Sequence, residues 1–473
     1  MQSSSSATSP STSAPTPPES VRDLLGAVFP ARQLSCEAGE LEEYSVDKGP
    51  VEGLEVALPS AVVHAESVED VQGLMRLASE HGFSVVTRGA GTGVSGGANA
   101  LPGCVVLSTL RMDSILQLNP EDGTAVVEPG VINADLNEAA GAHGLMYAPD
   151  PASYRTSTIG GNVATNAGGL RCAKYGVTRD SVLALDVVLA DGTLIHTGHQ
   201  TIKGVAGYDL TGLFTGSEGT LGVIVSVTVR LRPAPVQVLT LAAWLPDFPT
   251  AAAGVLQIGA ARVTPAILEI MDRGTMVALD EAHGSTLSER GEAMLLVQTD
   301  GFGAAAEMEI IRTVLAGLGG VLSAPDDAEA EALVELRRHA RGDAVETQIR
   351  VGEDVAVPKS QLVHYVAELE RMAQEHGVRL KVVAHAADGN LHPTFWIDTE
   401  DAASAMPRLE AALDESIRVA LEMGGTISGE HGIGSYKLRW LGWEQSEPVI
   451  GIQRAIKSLL DPQGILNPGR AIL

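Results

Sequence analysis

RGAGTGVSGG, residues 88–97, is the stretch on which the fold turns. Gly91, Gly93 and Gly96 stand at the spacing G-x-G-x-x-G, which in a dinucleotide-binding βαβ unit follows a strand and opens a helix. Here the flanks differ. Ser84 to Thr87 reads as a strand, and Gly96, Gly97, Asn99, Pro102 and Gly103 lead straight into a second strand, CVVL at 104–107, so the loop joins strand to strand. What survives is the physics of glycine. With no Cβ in the way, successive backbone N–H groups can turn toward a pyrophosphate and form an anion cradle without a helix dipole.

Working outward, Ser67 and Asp70 read as a capping box before Val68, Val71, Leu74, Met75 and Ala78, and Gly82 ends that helix. Short strands are expected at Val105–Leu107, Ala125–Glu128, Ala184–Leu189 and Val223–Leu231, with a hairpin turn at Asp191-Gly192. Helices are few in this half. Two more glycine clusters follow, TIGGNVATNAGGLRCAKYG at 158–176 and GYDLTGLFTGSEGTLG at 207–222. One such cluster usually marks only a turn, but three in one strand-rich half point to a ligand. After Pro233 and Pro235 the texture becomes α+β, with helical patterns near 304–316, 327–341, 360–376 and 402–422 and strands at Met294–Gln298 and Lys381–His385. A last amphipathic helix, 447–460, stops at Asp461-Pro462 before ILNPGR. The division expected is a tail over 1–18, a cofactor domain over 19–235, a substrate or cap domain over 236–426, and a C-terminal segment, 427–473, that returns to the cofactor.

Composition narrows the function. The 473 residues carry 32 Lys and Arg against 59 Asp and Glu, a net charge of −27, with 4% aromatic residues, which disfavours a nucleic acid partner. An anionic ligand must then be held by local cations, helix ends or a metal. The three cysteines, Cys36, Cys104 and Cys172, make no disulfide framework or CxxC pair, and a cytoplasmic protein is expected. The first eighteen residues have neither charge nor an apolar run, and no later run reaches the ~18 to 20 apolar residues of a membrane helix.

A second constellation lies in the other half. HAADGNLH sets His385 and His392 on a strand, a tight turn and a returning strand, and SGEHG supplies Glu430 and His431. A lone strand histidine is more often a hydrogen-bonded core or surface residue. Two histidines and a carboxylate, however, can hold a divalent ion with positions open for substrate, which leaves His431 free as a base.

With PGV at 129–131, YAPDP at 147–151 and KYGVTRD at 174–180, the glycine strings resemble the FAD domain of the vanillyl-alcohol oxidase and p-cresol methylhydroxylase (PCMH-type) flavoproteins. The closest resemblance is to their FAD-linked D-2-hydroxyacid dehydrogenase branch, with D-lactate dehydrogenases and the glycolate oxidase large subunit, from about residue 50 to the C-terminus. The fold it implies is α+β, a PCMH-type FAD-binding domain followed by an α+β FAD-linked oxidase cap domain. It implies that Arg88, Gly89, Ala90, Gly91, Thr92, Gly93 and Ser95 wrap the FAD pyrophosphate. Pro149, Asp150, Thr158, Gly161, Asn162, Thr165, Gly168, Glu218 and Ile224 would line the remainder, with Asn467 returning to it. The first loop has no His or Cys, so the flavin is expected to be noncovalent.

The same resemblance makes His385, His392 and Glu430 ligands of zinc, manganese or iron, and His431 the base. It gives Arg337 the substrate carboxylate, with Arg338 a shifted alternative, and Asn390 a further substrate hydrogen bond. Lys359 and Lys437 are weaker candidates, read as solvated charges. Ala387 stands where that string usually has glycine, which bears on the turn between the two histidines. The activity implied is FAD-dependent oxidation of a D-2-hydroxy acid, of the D-lactate, glycolate or D-2-hydroxyglutarate class, with hydride passing to flavin N5. The electron acceptor, a quinone, a cytochrome, an electron-transfer flavoprotein or oxygen, stays open, as does assembly as a homodimer or within an oxidase complex. Two other readings are an electron-relay subunit that keeps only the glycine loops and a metal-dependent hydrolase, which leaves the glycine clusters unexplained.

Overall fold

The computed structural model describes residues 20–50, 56–324, 328–338 and 347–472. The tail expected over 1–18 lies outside them. The helix expected to start at Ser67 is Val68–His81; Ser67 accepts from Asp70 N, and Gly82 ends the helix at φ +72°. Only half of the capping box forms, because Asp70 accepts from Glu66 N instead.

Two sheets occupy the first half. In one, strand Ala61–His64 and strand Val85–Arg88 both run parallel to Val105–Ser108 between them, and Leu34–Ser35 pairs antiparallel at the outer edge. The 88–97 loop therefore does join strand to strand, and Leu466 from the C-terminal segment bridges in parallel to Val85. The other sheet is five antiparallel strands in the order Ile115–Asn119, Thr124–Val127, Val223–Arg230, Val182–Val188 and Leu194–Gly198. The last two form the hairpin turned by Asp191-Gly192. Helices are more frequent here than the sequence suggested. Asn133–Gly141 is helical, and the second glycine cluster opens a helix, Ile159–Thr165, capped by Thr158 accepting from Gly161 N. Its glycines mask a helical pattern because packing against Pro129, not propensity, holds it: a Cβ on Gly160 would meet Pro129 Cβ at 2.5 Å.

The second half is built on an eight-stranded antiparallel sheet. Strand alternation divides its side chains between two faces. Leu268, Ile270, Val382 and Ala384 pack under the helices Phe248–Ala260, Ala304–Gly317, Leu362–His376 and Ala402–Glu422. Met271 and Val383 face the other way, toward the helices Arg273–His283 and Ala328–Arg338. Glu269, His385 and His392 belong to this second face: Glu269 is the register partner of His385, and Val383 that of His392. The site is therefore a face of the sheet.

Candidate active site

A cavity of ≈ 790 Å³ is lined from both halves, by the first glycine loop, the helix starting at Ile159, Glu218, Asn467, Arg337, His385, His392, Glu430 and His431. That volume is typical of a small-molecule or cofactor site. Around it the backbone is closely packed: a Cβ on Gly89 would meet Thr158 Oγ1 at 2.4 Å. Among the described residues, none of the backbone N–H groups of Ala90 to Ser95 donates to another backbone group. Thr87 Oγ1 and Asn162 Nδ2, both on cavity-lining residues, are buried without partners. A cavity of this volume whose lining holds free amides and partnerless polar atoms fits a pyrophosphate-bearing cofactor such as FAD.

Several residues expected at the cofactor fasten the wall: Ser95, Glu218 and Asn467 line the cavity and also tie its segments together, whereas Arg88, Pro149 and Asp150 do not line it. Ser95 donates its hydroxyl to the carbonyls of His431 and Gly432, and its own carbonyl accepts from Ser435 N and Tyr436 N. Glu218, at a left-handed φ of +51°, accepts from Ile433 N and Gly434 N, each at 2.8 Å. Asn467 accepts from Thr87 N and donates to the Glu218 carbonyl. Arg88 does not line the cavity; its guanidinium closes the loop by donating to the carbonyls of Glu43, Val46 and Ala98. Pro149 and Asp150 also stand behind the wall, where Pro149 accepts from Asn133 Nδ2 and Asp150 pairs with arginines. Gly89, Ala90, Gly91, Thr92, Gly93, Thr158, Gly161, Asn162, Thr165, Gly168 and Ile224 all face the cavity.

At the other end the hairpin of strands Arg379–His385 and Asn390–Asp398 brings the two histidines together, 5.0 Å between ring centroids. Ala387 is not at a positive φ, so an alanine sits in this turn without left-handed strain. Glu430 Oε1 lies 3.1 Å from His385 Nε2 and 3.3 Å from His392 Nε2. A tetrahedral site with bonds of ~2.1 Å has edges of about 3.4 Å, so these atoms suit a divalent ion. The far side of His385 is held as metal-bound imidazoles usually are, with Nδ1 at 2.7 Å from Glu269 Oε1. Burial opposes charge on His385, but Glu269 and Glu430 outweigh it and raise its pKa well above the usual imidazole range. An ion binding there would displace that proton.

His431 stacks on His392 with centroids 5.0 Å apart. Burial pushes its pKa down to about 3, so the imidazole stays neutral, with one ring nitrogen free of a proton. The loop carrying it is organised by Asp354, which accepts from Glu430 N, His431 N, the Ser428 hydroxyl and Lys437 Nζ. Lys437 is not a solvated charge: it is 2% exposed and also donates to the carbonyls of Asp354 and Ile427. Lys359 is exposed and away from the cavity.

Arg337 faces the cavity with its Nη2 2.6 Å from Glu269 Oε2, yet Nε and Nη2 have no aligned acceptor. Its neighbour Arg338 donates to the carbonyl and carboxylate of Asp150, which docks helix Ala328–Arg338 onto the first half. Asn390 does not reach the cavity. It backs the Glu430 loop, where a Cβ on Gly429 would meet its Oδ1 at 2.2 Å. Glu269 and Asp354 were not among the residues singled out in the sequence, although Glu269 is a lone acid within apolar ILEIM and Asp354, after Glu353, opens the apolar run DVAV.

Residues 59–198 match the FAD binding domain family and 234–471 the FAD linked oxidases, C-terminal domain family. Glycolate oxidase subunit GlcD of Bacillus subtilis is 39% identical over 88% of this chain and 89% of its own length. A D-lactate dehydrogenase of Archaeoglobus fulgidus is 35% identical over 87% and 91%. Among solved structures, p-cresol methylhydroxylase with bound substrate superposes at a TM-score of 0.77, with 20% identity, covering 95% of each chain. The fold is thus that of p-cresol methylhydroxylase, and the chain belongs to the FAD-linked oxidase family of flavoprotein oxidoreductases.

Proposed function

We propose that the protein oxidises a small D-2-hydroxy acid, of the lactate, glycolate or 2-hydroxyglutarate class, to the 2-oxo acid. The observation that carries this reading is that the glycine cradle and the His, Glu and Arg cluster share one cavity. Bound FAD supplies a hydride acceptor at N5, and a divalent ion held by His385, His392 and Glu430 supplies positive charge that acidifies the substrate hydroxyl. The backbone of Gly89 to Gly93, with Thr158, Gly161, Asn162, Thr165, Gly168 and Ile224, would hold the cofactor, inside the frame fastened by Arg88, Ser95, Asp150, Glu218 and Asn467. His431, buried and neutral, accepts the hydroxyl proton. Arg337, on the cavity wall, offers its guanidinium to the substrate carboxylate. Asn390 supports the Glu430 loop rather than the substrate. Residues 19–235 would thus serve the cofactor, 236–426 the substrate, and 427–473 would close the site. The GlcD relatives are named as subunits, which supports assembly in a complex that passes electrons onward from the flavin.

Anaerobic absorbance of the purified full chain tests this reading. Flavin bands should bleach with D-lactate, glycolate or D-2-hydroxyglutarate, and chelation should slow the bleaching. Flavin that none of these acids reduces would overturn the substrate assignment, and bleaching indifferent to chelator would overturn the metal's role.

A further inference from the structure

Glu269 is the charged residue least expected where it stands. It lies in the strand Ile267–Asp272, is 0% exposed, and is flanked by Leu268 and Ile270, which belong to the apolar core. A carboxylate so placed is retained only with partners of opposite charge or strong donors. It has two, one for each oxygen. Oε1 faces His385 Nδ1 at 2.7 Å, and Oε2 lies 2.6 Å from Arg337 Nη2. The first contact is written into the sheet, since Glu269 and His385 are antiparallel register partners and share a face.

We propose that Glu269 is a positioning residue that sets the metal end and the carboxylate end of the site together. The inference rests on the roles proposed above for His385 and Arg337. Once an ion displaces the Nε2 proton, an imidazole whose Nδ1–H is donated to a carboxylate presents Nε2 as a lone pair, and Nε2 is here the atom facing Glu430. The same carboxylate offsets the charge of Arg337 through the close contact of Oε2 with Nη2, an ion pair in which no N–H is aligned on the oxygen. One side chain therefore fixes the spacing between the ion and the substrate carboxylate. The arrangement needs two acceptors on one group. Glutamate has two oxygens and no donor, whereas glutamine of the same shape has one acceptor and an NH2 that must oppose one of the two donors.

The test uses the full-length, FAD-loaded protein as wild type, Glu269→Gln, Glu269→Asp and Arg337→Lys, with the flavin-to-protein ratio as the check on folding. Zn2+ affinity is measured on metal-stripped protein by competition with a chromophoric chelator. KM and kcat are measured with the hydroxy acid that reduces the wild-type flavin. Glu269→Gln should lose at least tenfold in Zn2+ affinity or in KM. Glu269→Asp, whose shorter carboxylate cannot span both partners, should lose in both, within the 10- to 100-fold usual for outer-shell partners of a metal site. Arg337→Lys should raise KM and leave Zn2+ affinity within about twofold.

Wild type that binds Zn2+ while both Glu269 variants match it in affinity and KM overturns the proposal alone. Wild type that binds neither Zn2+ nor Mn2+ overturns the metal reading and this inference with it. Should the variants lose flavin, nitrogen NMR of the Zn2+-loaded wild type decides: a proton on His385 Nδ1 is expected, and a bare Nδ1 overturns the proposal.

Discussion

At the residue scale, two side chains of the SGEHG region carry opposite expectations. His431 is kept neutral by burial and is the proposed proton acceptor, and His431→Asn should cost on the order of 10²- to 10⁴-fold in the rate of flavin reduction. Stopped-flow reduction measures this, and an unchanged flavin content shows the effect to be chemical. Lys437 does its work through Asp354 instead. Lys437→Met leaves a buried carboxylate without its cation and should destabilise the fold by ~3–5 kcal/mol in chemical denaturation. Adding Asp354→Asn should recover part of that loss. The reading of Lys437 as a surface charge failed because sequence spacing gives no depth: three residues past Gly434, a lysine is as easily folded inward as outward.

At the element scale, the hairpin Arg379–Asp398 is the device that makes the metal candidate. HAADGNLH was legible as strand, turn and strand because Asp388-Gly389-Asn390 is turn chemistry between apolar runs. The turn is fastened by Asp388 N and Gly389 N donating to the His385 carbonyl and by Asp388 Oδ1 accepting from Asn390 N. Gly389 has φ +85°, and a Cβ there would meet the Val357 carbonyl oxygen at 2.2 Å. Gly389→Ala should therefore destabilise by roughly 1–3 kcal/mol or more in thermal or denaturant unfolding. It should also weaken Zn2+ binding, by displacing His385 from His392. A variant with wild-type stability and affinity would show that the turn does not set the pair. Helix Ala328–Arg338 was legible as a helix, but its two arginines were not distinguishable in the sequence. Arg337 and Arg338 are adjacent, about 100° apart around the helix, so only packing decides that one meets Glu269 and the other Asp150.

At the scale of the whole molecule, a chain of net charge −27 stores its site cations as pairs: Arg337 with Glu269, Arg338 with Asp150, and Lys437 with Asp354. Among the described residues, several buried acids, Glu353 with them, have no ion-pair partner of their own. Glu353 is raised to about 7 by burial, with Asp354 adding repulsion; Lys437 and Arg439 pull it down, and Tyr436 donates to it at 3.4 Å. Its folded pKa lies above the unfolded value of about 4.5. Between pH 4.5 and 7 the folded state therefore holds a proton that the unfolded state has lost. Stability from this group is full below pH 4.5 and declines as pH rises to 7. Glu353→Gln removes that slope, so the variant should gain on the wild type by on the order of 3 kcal/mol across this window. Denaturation at several pH values checks it, and parallel profiles would refute it. No helix among the described residues is long and apolar enough to cross a membrane.

What the sequence by itself determined is the strand-to-strand glycine loop, the α+β second half, the histidine hairpin and the residue types of both ends of the cavity. These are local: turn chemistry, periodicity and glycine content act over a few neighbouring residues. Only the tertiary structure decided that Ser95 bolts the first loop to the His431 loop, that Arg88 and Asp150 stand behind the wall, and that Glu269 and Asp354 complete the site. The physical reason is distance along the chain. Glu269 meets His385 across 116 residues and Ser95 meets His431 across 336. A buried acid finds its partners only when sheet register and domain packing have fixed which faces meet.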